Sequence, residues 1–151
     1  MGRDNYEGDK YSHACPFARI MENGFAVRLV QFGIRTLNTH QVEQSDKFNV
    51  EIHQMKNLDL NRIPKFDNPL YISLDMDGFD PAFAPGVSHH EPGGLTSRQV
   101  INLIQIINLI QSIDSEIIGA DIVEYNPNRD FQNMTAFLAA KMMKEILSKM
   151  I

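Results

Sequence analysis

The chain has 151 residues, 43% of them apolar and 22% charged, with a net charge of −5. That is enough chain for one domain, 1–151, with a core of its own, and the acidic balance argues against a nucleic-acid surface. A single cysteine, Cys15, excludes an internal disulfide framework and points to a reducing, cytoplasmic setting.

The first ten residues, MGRDNYEGDK, are polar and lack the apolar centre of a signal peptide. Tyr6 stands where a myristoylation motif wants Ser or Thr. No apolar run reaches the roughly 18 residues a membrane span requires, so no membrane partner is expected. CPFARIMENG places Pro16 near a helix start and Gly24 just past its end, the usual asymmetry of a short helix. RLVQFGI, residues 28–34, is a short β-prone run. NTHQVEQSDKF predicts an exposed helix whose apolar points are Val42 and Phe48, and VEIHQM, residues 50–55, alternates like a strand.

LYISLD, residues 70–75, predicts a buried strand. Ser97 is expected to cap a long helix from about Arg98, and EIIGADIVEY, residues 116–125, is a further strand. MTAFLAAKMMKEILSKM closes the chain at helical spacing, with its methionines expected to pack on helix faces. Strands alternating with helices predict an α/β fold on a parallel sheet. Ligands in such sheets bind beyond the carboxyl ends of the strands. LYISLD and EIIGADIVEY both finish in acidic residues, which the topology can aim into one crevice.

The long helix contains INLIQ twice, at 101–105 and 107–111. Six residues turn a helix by about 600°, so the second copy points about 120° away from the first. A slipped duplication predicts a helix longer than its neighbours with one copy poorly packed.

The chemistry gathers in SLDMDGFDPAFAPG, residues 73–86. Asp75 and Asp77 are two apart, so on an extended strand end both carboxylates face one side. Carboxylates that close repel unless a proton or a cation lies between them, and Mg²⁺, Ca²⁺ or Mn²⁺ fits oxygen donors. Asp80-Pro81 predicts a turn in which Asp80 caps backbone amides. The alternative is that all three aspartates are loop caps. Cys15 lies two residues after His13, either a Cys-His pair or a small buried residue at a helix start.

SLDMDGFDPAFAPG resembles the signature of the ureohydrolases, the arginase and agmatinase family. EGDKYSHACPFARIME, VSHHEPGGLTSRQV and GADIVEYNPNRD extend the resemblance over nearly the whole chain, toward plant-type arginases and bacterial agmatinases. The resemblance implies a three-layer α/β/α fold and a homo-oligomer. It implies hydrolysis of a small guanidinium compound to urea and an amine, with two Mn²⁺ ions and a bridging hydroxide. Asp75 then matches the aspartate that bridges the two ions and Asp77 the aspartate on the second. His13 matches the histidine that shuttles protons, and Glu124 the glutamate that pairs with the guanidinium.

The resemblance also implies ligands from a Gly-Gly-Asp-His and an Asp-Ala-His-x-Asp stretch, and neither occurs in these residues. His40 and His53 are expected to be surface or satisfied histidines. His89, His90 and Glu91, in the loop after the signature, are candidates for touching substrate. Groups that would hold an α-carboxylate and α-amine cannot be placed, which leans the reading toward agmatine, with arginine as the alternative. The rival from another class is a non-catalytic remnant that binds or assembles.

Overall fold

The computed structural model describes residues 7–110 and 116–150. The chain divides into two compact units, Met1–Leu58 and Asp59–Ile151.

The first unit is built around a β-α-β crossover. α1, Pro16–Glu22, starts where a proline without an N–H is tolerated and ends before Gly24 at φ +68°. β1, Val30–Ile34, and β2, Glu51–Gln54, pair in parallel, which requires a crossover between them. α2, Thr39–Lys47, supplies it. Asn38 and Gln41 close a capping box on α2, side chain to backbone N–H in both directions. α2 buries Gln44 and Ser45 and leaves Val42 exposed, so its inward face is not the one its apolar residues mark. The Arg28 guanidinium bonds Glu51 through two nitrogens, at 2.5 and 2.9 Å, and holds its carboxyl below the usual range. His53 stacks on Phe32 with ring centroids 4.7 Å apart, the satisfied role expected of it.

The second unit repeats the plan. β3, Leu70–Asp75, and β4, Ile117–Val123, are parallel, with α3, Ser97–Ile110, between them in sequence. α4, Met134–Leu147, follows β4. A register shift falls between Leu70 and Tyr71, after which Gly119 lies opposite Tyr71. A Cβ at Gly119 would come within 2.8 Å of the Tyr71 ring, so the ring takes the space a side chain would fill. Met76, Phe79, Val87, Ile104, Met142 and Ile146 belong to the core of this unit.

α3 corrects two expectations. Its cap is Thr96, not Ser97: Thr96 Oγ1 accepts the Gln99 N–H at 3.1 Å, and Gln99 Oε1 accepts the Thr96 N–H at 2.9 Å. Thr-x-x-Gln completes a reciprocal box that Ser97, one residue later, cannot. Of the INLIQ copies, the first buries Ile101, Leu103 and Ile104, whereas the second buries Ile107 and leaves Leu109 80% exposed. As far as it is described, α3 has 14 residues, the same as α4, and the end of the second copy lies outside the described residues. Among the described residues no helix is long and apolar enough to cross a membrane.

Candidate functional site at the carboxyl ends of the parallel strands

β3 and β4 run in register from Tyr71–Gly119 to Asp75–Val123, so both chains leave the sheet at the same end. There the extended geometry assumed for Asp75 and Asp77 breaks down. The strand stops at Asp75, and Met76–Gly78 form a 3₁₀ turn. Asp75 Oδ1 accepts the Asp77 N–H at 2.8 Å, a short-range bond that competes with strand continuation. The turn buries Met76 and brings Asp77 into contact with the following loop.

That loop is tied down in three places. The Asp80 carboxylate accepts the N–H groups of Ala82, Gly93 and Gly94 at 2.9, 2.8 and 3.2 Å, the capping role its turn predicts. The Gly86 carbonyl accepts the Asn126 N–H at 2.8 Å, and Val87 bridges Tyr125. The Gly86 N–H donates to Thr135 Oγ1 at 2.7 Å on the first turn of α4. A Cβ on Gly86 would sit 2.8 Å from Asp130 Cβ and 2.9 Å from Thr135 Oγ1, so only glycine allows this approach.

Asp130 organises the α4 end of the clamp. Its oxygens accept the Thr135 N–H at 2.9 Å, the Ala136 N–H at 3.0 Å and the Tyr125 hydroxyl at 3.2 Å. Burial works to raise the Asp130 carboxyl, but the Thr135 and Ala136 amides, with the Thr135 and Tyr125 hydroxyls, hold it below the usual range. Desolvation, then the bond to Asp130, raises the Tyr125 phenol.

The clamp delivers Glu124 and His89 to Asp77. Glu124 follows β4 in the left-handed region, at φ +64°, a conformation costly for a residue with a Cβ and often kept at functional sites. One ligand atom from each of Asp77, His89 and Glu124 lies within 4.8 Å of the other two. His89 Nδ1 is 3.3 Å from Asp77 Oδ2, and the side chains are 78% and 16% exposed, so the site opens on the His89 side. Two carboxylates and an imidazole suit a divalent cation of the Mn²⁺ class.

Of the residues singled out in the sequence, Asp77 and Glu124 are brought together and Asp75 underpins the turn beneath them. His89, weighed only as a substrate contact, joins them directly; it sits in the loop between the signature and the next helix. His90 Nε2 lies 2.8 Å from the Pro85 carbonyl, and Glu91 is exposed. His13 belongs to the first unit, where it is exposed. Cys15 is buried at the start of α1 with Sγ 3.8 Å from the Asp9 carbonyl, a packing role rather than a nucleophile's.

Residues 2–148 match the model of the Arginase family. The chain belongs to the arginase family. It is 47% identical to the mitochondrial arginase of Medicago truncatula over 155 residues, covering 97% of this chain and 44% of that protein. The structure of Medicago truncatula arginase superposes with a TM-score of 0.86 at 46% identity, covering 97% of this chain and 47% of that one. An Arabidopsis thaliana arginase named chloroplastic/mitochondrial is 44% identical, over 97% of this chain and 43% of its own length. A Bacillus anthracis agmatinase is 30% identical, over 96% and 50%. The parallel-sheet α/β architecture of the family is therefore this chain's, which spans a little under half the length of its arginase relatives. The expectation of a cytoplasmic protein is corrected by the plant arginases, which are named mitochondrial or chloroplastic/mitochondrial. Compartment is written in address segments read by receptors, and neither composition nor a lone cysteine reports it.

Proposed function

We propose that the chain carries part of a ureohydrolase site that acts on the guanidinium group of arginine. The observation that supports this most is the meeting of Asp77, His89 and Glu124 at the carboxyl ends of β3 and β4. The greater identity to plant arginases, 47% against 30% for the agmatinase, favours arginine over the agmatine suggested by the sequence alone.

The donor set fits Mn²⁺: Asp77 and His89 would hold an ion, with Asp75 next to them on the strand end. What Mn²⁺ supplies when bound is Lewis acidity, which lets water lose a proton near neutral pH. Glu124 pairs with the planar guanidinium through two parallel hydrogen bonds and fixes its orientation. The clamp of Gly86, Asp130 and Thr135 keeps Glu124 in its strained conformation while substrate binds.

The second reading is a chain that binds and assembles without turning over substrate. It is favoured by the small donor set, one histidine and two carboxylates among the described residues. Urea release from arginine and agmatine with Mn²⁺ decides between them, measured with the chain joined to the portion of the Medicago truncatula arginase it does not match. Release from arginine, abolished by Asp77→Ala, supports the enzyme. No release from either substrate supports the remnant.

A further inference from the structure

β4 ends at Val123, and the residues after it meet the signature loop running the other way. Val87 and Tyr125 form an antiparallel bridge, and the Gly86 carbonyl accepts the Asn126 N–H at 2.8 Å. This pairing sets Ser88 opposite Glu124. The bridge stays isolated, because Glu124 at φ +64° lies outside the extended region of a strand. A side chain takes over where the ladder stops: Asn126 Nδ2 donates to Ser88 Oγ at 2.9 Å.

The Asn126 amide is used at both ends. Its Oδ1 accepts the Asn128 N–H at 3.1 Å and starts the 3₁₀ turn Pro127–Arg129. A flipped amide would set two donors against each other there, so the nitrogen is the end that faces Ser88. Ser88 is held a second time at its carbonyl, which accepts Arg129 Nη1 at 3.4 Å, a longer and weaker bond from an exposed side chain. That carbonyl lies in the same peptide plane as the nitrogen and Cα of His89, so fixing it sets where the His89 side chain leaves the backbone. The His89 side chain is 78% exposed, so packing does little to hold the ring 3.3 Å from Asp77. Its placement depends on the backbone that carries it.

The geometry points to Asn126 as a positioning residue that, through Ser88, holds His89 within reach of Asp77 and Glu124. Asn126 follows Glu124 by two residues. Its backbone is fixed to Gly86 and its side chain to Ser88, so the strand end that carries Glu124 and the loop that carries His89 move as one unit. Partners that orient a metal ligand from behind typically change metal affinity by about 10–100-fold. The inference rests on the proposed function in taking His89 as a donor to Mn²⁺, whereas the ordering of the loop needs no ion.

The test follows the loop of the 151-residue chain first without metal and then with Mn²⁺. Nitrogen-15 relaxation should give the His89 amide an order parameter of roughly 0.85 in the wild type and below about 0.6 in Ser88→Ala. Ser88→Thr, which keeps the hydroxyl, should retain the wild-type value. Mn²⁺ affinity, read from the electron paramagnetic resonance of the free ion, should fall about tenfold in Ser88→Ala and in Asn126→Ala and stay within about twofold in Ser88→Thr. The double variant should bind no more weakly than Asn126→Ala alone, because both substitutions remove the same bond. Circular dichroism of all four should match the wild type, which separates positioning from unfolding. Three results would overturn the inference: a His89 order parameter that Ser88→Ala leaves unchanged, a loss in Ser88→Thr as large as in Ser88→Ala, or losses in the double variant that sum. Mn²⁺ affinity unaffected by His89→Ala overturns the proposed site instead, and the metal-free order parameters then decide the positioning by themselves.

Discussion

Thr135 Oγ1 accepts the backbone N–H of Gly86 at 2.7 Å across 49 residues of sequence, joining the signature loop to the first turn of α4. Thr135 is fully buried, so neither partner can turn to water instead. Thr135→Val should therefore cost about 1–3 kcal/mol through the unpaired N–H. Gly86→Ala should cost a similar amount, about 1–3 kcal/mol, by overpacking against Asp130 and Thr135. Urea melts of both variants measure this, and a change under about 0.5 kcal/mol in either would place the bond outside the cooperative core.

The same clamp sets a dependence on acid. Asp130 is held below the ordinary carboxylate value, which is about 3.9 in the unfolded chain. Its contribution to stability is therefore complete above about pH 4 and declines as pH falls through the lowered folded value. Urea midpoints between pH 7 and pH 2 should show the wild type losing more stability on the acid side than Asp130→Asn. Parallel curves for the two would mean that the carboxylate is no better stabilised folded than unfolded.

The two INLIQ copies should respond differently to substitution. Ile104, in the first, is buried, and Ile104→Ala should cost about 2–5 kcal/mol. Leu109, in the second, is 80% exposed, and Leu109→Gln should stay within about 0.5 kcal/mol of wild type or raise solubility. Ile107 is buried, so deleting residues 106–111 removes core contact as well as exposed surface and should destabilise. Equal losses from Ile104→Ala and Leu109→Gln would show that both copies are core.

Much of this was legible from residues. Apolar runs located three of the four described strands and alternation in VEIHQM the other, and Pro16 with Gly24 marked α1. The signature motif carried the family and the parallel architecture. What escaped was set by local side-chain bonds. Asp75 turns the chain into a 3₁₀ turn, so the two-residue alternation never reaches Asp77. Thr96 and Gln99 spell a capping box that was legible and outcompetes Ser97. The loop of His89 has no periodicity, and its position depends on the Gly86 clamp, whose partners lie some 40 residues further along. The inward turn of Gln44 and Ser45 in α2 has no signal in the spacing of Val42 and Phe48.

The isolated chain should release no urea from arginine or agmatine above background. Two aspartates and one histidine are too few ligands to offset the repulsion between two divalent ions a few ångströms apart. A urea-release assay with Mn²⁺ measures this. Robust turnover lost in Asp75→Ala would show that the site is completed without any further polypeptide.

Mn²⁺ titration of the 151-residue chain, followed by the electron paramagnetic resonance of the free ion, tests the site itself most directly. Asp77 and His89 are predicted to hold a single ion weakly, with affinity falling at least tenfold in Asp77→Asn and in His89→Ala. Wild-type affinity retained in both variants, or no binding by the wild type at millimolar Mn²⁺, would contradict it.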